Sequence, residues 1–197
     1  MTRKPGLGCL LEIVETLVLT LIIFWVIQSF VAQPFRVDQT SMEQTLEPDQ
    51  YVLVDKLTPH WDTYKRGDVV VFSPPDSWIA NDGQPYIKRV IGIGGDTIDI
   101  HDGSVFVNGT RLDEPYVFTE NGQPQSTDTL NEIDHWVIPE GQLFLMGDHR
   151  QNSTDSRQGG PVDVSRVVGR AWLRYWPFDT FRILPTPIHP ELTTSAP

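Results

Sequence analysis

The sequence predicts a mainly β protein, an N-terminal transmembrane helix followed by an antiparallel β-sheet catalytic domain. Three observations carry this. Residues 16–32 are 17 consecutive uncharged side chains dense in Leu, Ile, Val, Phe and Trp, at the short end of the about 17–25 residues that span a bilayer. Downstream, β-branched and aromatic runs are separated by Gly, Asp, Asn and Pro clusters, the pattern of short strands joined by turns. Beyond residue 33 little repeats at the helical period, so the domain should be β.

With 197 residues, 39% of them hydrophobic, the chain has room for one anchor and one core of about 100–150 residues, not two. It divides into an N-terminus (1–9), an anchor (10–32), a catalytic β domain (33–184) and a disordered tail (185–197). The apolar run contains Trp25 and Phe30 and passes straight into polar, motif-rich sequence, which favours an uncleaved anchor over a secretory leader. Glu12 and Glu15 share a helix face near the cytoplasmic interface, where water is reachable. Arg3 and Lys4 should stay in the cytoplasm, leaving the remainder outside the cell membrane as a single-pass protein with the lipid bilayer as a partner. An amphipathic interfacial helix is the competing reading, since Gln28, Ser29 and Gln33 make the far end polar. The net charge is −11. The charges of the first 32 residues cancel, so the excess belongs to the outer domain and argues against nucleic acid as a partner. The single cysteine, Cys9, excludes an intrachain disulfide, and the five histidines are scattered. No metal site and no cofactor is expected.

After the anchor, Gln33-Pro34-Phe35-Arg36-Val37-Asp38 reads as an extended lead, because Pro34 ends the helix and pushes Gln33 out of the α region. Residues 50–56 and 67–72 are strands joined by a tight turn, and 73–83 is a loop. The next strand is 86–91. Gly92-Ile93-Gly94-Gly95-Asp96 is not a nucleotide-binding loop, because the residues after it alternate as a hairpin (97–100, 104–107) instead of opening a helix. Residues 110–135 are polar and turn-rich, a surface excursion. Segments 136–139, 142–146 and 167–173 restore strand character.

Chemistry concentrates in three stretches. Thr40-Ser41-Met42-Glu43-Gln44-Thr45-Leu46 supplies Ser41, a hydroxyl that attacks only when a base removes its proton. In Pro85-Tyr86-Ile87-Lys88-Arg89-Val90-Ile91, alternation places Tyr86, Lys88 and Val90 on one strand face. Burial bringing this lysine from about 10.4 to about 8 costs on the order of 3 kcal/mol, within reach of desolvation. The third stretch is Gly147-Asp148-His149-Arg150-Gln151-Asn152-Ser153-Thr154-Asp155-Ser156-Arg157.

In this order behind a membrane segment, the three stretches resemble the bacterial type I signal peptidases, over residues from about 33 to 176. The resemblance implies a signal-peptidase-type β domain and a membrane-anchored serine endopeptidase that cleaves N-terminal signal peptides from exported preproteins. Ser41 would be the nucleophile and Lys88 the general base and later acid. Ser153 would hydrogen-bond the lysine ammonium, with Asp148, Asp155 and Arg157 as structural support. The Ser41 backbone N–H is the natural first oxyanion donor; the second is the side-chain amide of Gln39, where many members carry serine or glycine, or a main-chain group. The precursor would add as a strand to an exposed sheet edge, with Phe35, Val37, Met42 and Tyr86 lining its pockets and Ala-x-Ala preferred before the cut. The chain departs from the family pattern at Gln44 (usually proline), Gly94 (usually proline) and His149 (usually asparagine). The first two would loosen the loops beside the dyad. His149 raises a rival Ser–His–Asp triad. A catalytically weak relative that binds extended peptides, a self-cleaving repressor-type protease and an organelle-type processing peptidase also fit part of the pattern.

Overall fold

The computed structural model describes residues 5–57, 62–78 and 83–192. Arg3 and Lys4, on which the expected orientation rests, lie outside them, as does part of the 73–83 loop. Helix α1 (Pro5–Val26) is continued by a π-helical turn (Ile27–Val31). Residues 8–31 are long and apolar enough to cross a membrane, and none of this stretch is buried in the protein. The helix ends at strand β1 (Ala32–Arg36). Pro34, expected as a helix stop, is a residue of this strand, tolerated because β1 lies at the sheet edge.

The remaining strands are β2 (Tyr51–Asp55), β3 (Val69–Phe72), β4 (Tyr86–Ile93), β5 (Thr97–His101), β6 (Ser104–Val107), β7 (Thr110–Arg111), β8 (Thr119–Glu120), β9 (Gln123–Pro124), β10 (His135–Val137), β11 (Gln142–Met146), β12 (Val162–Asp163), β13 (Val167–Trp176) and β14 (Arg182–Ile183). A one-turn helix α2 (Ser156–Gly159) precedes β12. The main sheet runs β1-β2-β13-β3-β4-β11-β12, with β14 also on β13. A second sheet runs β10-β5-β6-β7, and β8 pairs with β9. All pairings are antiparallel.

Strands β3 and β4 are buried on both faces, which explains their continuous apolar runs. Odd positions Val69, Val71 and Ile87 enter one cluster with Met42, Leu46, Val52 and Val54. Even positions Val70, Phe72, Tyr86 and Val90 enter another with Trp78, Leu143 and Leu145. Ile91 joins Phe144 and Met146 against the second sheet. This alternation puts Lys88 beside Tyr86 and Val90, as the strand pattern predicts.

Two expectations are corrected. The tail is ordered as far as Leu192: Thr186 donates to Asp68 at 2.7 Å, and Leu192 packs on the second sheet's cluster. Short polar sequence has the look of disorder, yet here it caps a buried aspartate. Residues 193–197 lie outside the described chain. Segment 110–135 is more than a surface excursion, since Leu112, Val117 and Thr127 are buried and Glu114 is paired with the buried Arg150. Those contacts are long-range and leave no local pattern.

At Gly169 the β13 backbone crosses β2 so closely that a Cβ would lie 2.3 Å from the Asp55 carbonyl oxygen. Gly169→Ala should therefore cost about 3 kcal/mol through backbone displacement, read as a lowered denaturation midpoint with an unchanged slope.

Candidate active site

Ser41 opens a tight turn fastened by Met42 and Leu46, which sit four apart on its apolar side and are fully buried. The turn closes through Leu46 N–H to Met42 C=O at 2.7 Å and Thr45 N–H to the same oxygen at 3.1 Å. Lys88 arrives from β4, held between β3 (opposite Val70) and β11. Its Nζ lies 2.6 Å from Ser41 Oγ, and both residues are buried, the lysine 1% exposed. The ring of Tyr86 stands 5.2 Å from the same nitrogen. Burial pulls the Lys88 ammonium down from 10.5 to about 8, although Asp155 and Asp148 push it back up; Arg157 assists the burial.

Each carboxylate is matched by its own guanidinium. Asp155 receives Arg157 Nε at 2.9 Å and Nη2 at 2.9 Å, the Gly147 N–H at 3.1 Å and the Ser153 hydroxyl at 2.7 Å. Burial pushes this carboxyl up, but the Arg157 charge and these donors outweigh it and hold it below the ordinary range. Asp148 receives Arg89 Nε at 2.8 Å, Arg89 Nη2 at 2.6 Å and the Thr45 hydroxyl at 2.6 Å. Asp148 therefore grips the nucleophile turn as well as neutralising its partner. Bidentate pairing of this kind is strong and directional.

The Ser153 hydroxyl donates to Asp155, and its oxygen keeps lone pairs for a lysine N–H, the role expected of it. The serine abuts the dyad: a Cβ at Gly147 would lie 2.3 Å from Ser153 Oγ and 2.6 Å from the Ser41 carbonyl oxygen. His149 does not form the rival triad. Its Nδ1 is 2.6 Å from Glu43 Oε2, its ring stacks on Phe118, and the Ser41 hydroxyl is engaged by Lys88.

Two concavities meet here. One, about 540 Å³, includes Gln39, Ser41, Tyr86 and Ser153; the other, about 350 Å³, includes Phe35, Val37, Gln39, Val52 and Ile87. Phe35 and Val37 thus share a groove, Tyr86 faces the neighbouring one, and Gln39 borders both. Met42 lines neither: it is fully enclosed among Leu46, Val52 and Val54, its direction set by the i, i+4 pairing with Leu46. Sequence reasoning misses Arg89, Arg150 and Glu114. Arg89 is findable in principle, since a charge inside a strand whose two faces are apolar requires a partner.

A β domain behind an apolar helix, with a buried lysine amine against a serine hydroxyl, is the arrangement of a Ser/Lys hydrolase. The chain belongs to the signal peptidase family, peptidase S26, which it matches over residues 10–176. It is 31% identical to signal peptidase I of Bacillus licheniformis over 176 residues, 88% of this chain and 92% of that protein. It is 34% identical to the probable signal peptidase I-2 of Synechocystis (89% and 77% covered) and 31% identical to signal peptidase IB of Staphylococcus aureus (88% and 93%). The crystal structure of a signal peptidase I from Enterococcus faecalis aligns with a TM-score of 0.42 at 29% identity, over 55% of this chain and 97% of that one.

The low lysine value has a stability consequence. Between pH 8 and 10.5 the unfolded chain keeps the Lys88 proton and the folded one does not, so unfolding free energy should rise with pH across that window by about 3 kcal/mol. The rise should vanish in Lys88→Met, with denaturation of both proteins measured at each pH.

Proposed function

We propose that the protein is a membrane-anchored serine endopeptidase that removes N-terminal signal peptides from exported preproteins, with Ser41 as nucleophile and Lys88 as base. The observation that carries this is the 2.6 Å approach of Lys88 Nζ to Ser41 Oγ within a dry, charge-balanced pocket. Its unprotonated amine takes the serine proton as Oγ attacks the scissile carbonyl. The oxyanion takes hydrogen bonds from the Ser41 N–H and the Gln39 side chain, the residue on the border of the two grooves. The lysine ammonium then protonates the departing amine. As amine again, it activates the water that hydrolyses the acyl-serine.

The substrate adds as a strand beside β1, which has β2 on one side and, among the described residues, no strand on the other. Phe35 and Val37 favour small apolar side chains in the groove there, and Tyr86 borders the neighbouring subsite. The preferred precursor carries Ala-x-Ala before the cut.

The lipid bilayer is the second partner, with α1 in it, the N-terminus cytoplasmic and the β domain outside the cell membrane. Trp176, Phe178, Phe181 and Ile183 are exposed together around the β13–β14 hairpin and support a membrane-facing surface, since aromatic side chains settle at the lipid–water boundary. The matching of each buried carboxylate to an arginine favours an enzyme over a peptide binder, because only proton transfer needs the lysine kept uncharged.

Cleavage of an Ala-x-Ala preprotein by detergent-solubilised protein should fall by at least about 10³-fold in Ser41→Ala and in Lys88→Ala. Retention of wild-type rate in either variant would refute the dyad. For wild type, kcat/KM should climb about tenfold per pH unit below pH 8 and level off above it, following the lysine.

A further inference from the structure

We propose that Phe118 and Thr119 clamp the nucleophile turn, and that Gln44 and His149 are positioning residues through which the clamp holds Ser41 against Lys88. The inference rests on the Ser41–Lys88 reading.

Gln44 sits at φ +70°, a region closed to proline, whose ring holds φ near about −65°, and rarely adopted by other side chains. The Gln44 N–H donates locally to Glu47 Oε1 at 3.0 Å, and the side chain is held from outside the turn. Gln44 Nε2 donates to the Thr119 carbonyl at 3.1 Å, and the Thr119 N–H donates to Gln44 Oε1 at 2.9 Å. The side-chain amide thus pairs with a backbone peptide as a neighbouring strand would.

One residue earlier, Phe118 lies flat on His149, with centroids 4.1 Å apart and planes 7° from parallel. The Phe118 N–H donates to the Asp148 carbonyl at 2.9 Å. His149 reaches the turn twice: its N–H donates to the Ser41 carbonyl at 3.0 Å, and its ring meets Glu43 at 2.6 Å. Residues 118 and 119 are therefore joined, directly and through His149, to Ser41, Glu43 and Gln44.

Gln44 and His149 are two of the positions where this chain departs from the family pattern. Proline could not supply the amide pair, and asparagine could not supply the aromatic face. The two departures form one device, replacing the stiffness of a proline with an external brace from the β8–β9 hairpin.

The test uses the full-length protein in detergent with an Ala-x-Ala preprotein, comparing Gln44→Gly, which leaves the turn's backbone accessible, His149→Asn, which keeps the backbone donor, and the double variant. Each single variant should lower kcat about tenfold, since displacement of a reacting group by about 1 Å can cost on the order of 100-fold. KM should stay within about twofold and the unfolding midpoint should hold. The double variant should lose less than the product of the singles, because either change already frees the same turn. Gln44→Pro should lose more than Gln44→Gly. Wild-type kcat in Gln44→Gly, strictly multiplicative losses, or a kcat deficit that disappears once the folded fraction is corrected for would overturn the clamp. Ser41→Ala run beside them separates the failures: if it is dead while Gln44→Gly is fully active, only the clamp falls, and if it cleaves normally, the dyad falls and the clamp with it.

Discussion

The constraint on which this site depends is the dryness around one amine in the presence of two carboxylates. Desolvation alone would leave Lys88 a usable base, but Asp155 and Asp148 both act on it in the opposite direction. The fold answers by giving each acid a bidentate arginine, so that neither is a lone anion beside the lysine. Both pairs are buried, and breaking a buried pair is far costlier than never having built it, because the surviving charge is left stranded. Asp155 and Asp148 thus shape the surroundings of Lys88 through the arginines they bind.

The sheet makes this possible because β4 is enclosed on both faces. One face sends Tyr86, Lys88 and Val90 into a cluster of aromatic and aliphatic side chains, and the other sends Arg89 toward Asp148. Adjacent residues of one strand therefore serve opposite purposes: one is stripped of its charge and the next is fully compensated. The nucleophile turn is carried separately, plugged into the core by Met42 and Leu46. It is laced to the 147–153 loop through the Ser41 carbonyl, through Thr45 to Asp148, and through Asn152 Nδ2 to Thr40 Oγ1 at 2.6 Å.

Legibility in the amino-acid sequence tracks the range of the interactions. The anchor and the strand runs are legible because period and composition are local, while the Ser41–Lys88 pairing, 47 residues apart, is legible only through the family resemblance of the stretches that carry it. The arginine partners are not, since Glu114 and Arg150 are 36 residues apart and Arg89 and Asp148 are 59 apart, and nothing in either neighbourhood names the other. Met42 belongs to the core and not to the substrate pocket because adjacency to a nucleophile is a weaker guide than its i, i+4 spacing with Leu46. That the Ser153 hydroxyl gives its proton to the carboxylate two residues on is likewise visible only in the fold. Gln44 has the look of a loss of rigidity, and only the fold reveals Thr119 across from it.

The passage from helix to nucleophile is short and almost without slack. The apolar helix ends at Val31, β1 begins at Ala32 and pairs at once with β2, and the nucleophile sits at residue 41. Ten residues of fully stretched chain reach at most about 35 Å, and part of that length is spent in β1. The chain thus carries a built-in ruler: whatever surrounds the apolar helix fixes, within that reach, how far from it the Ser41 turn can stand.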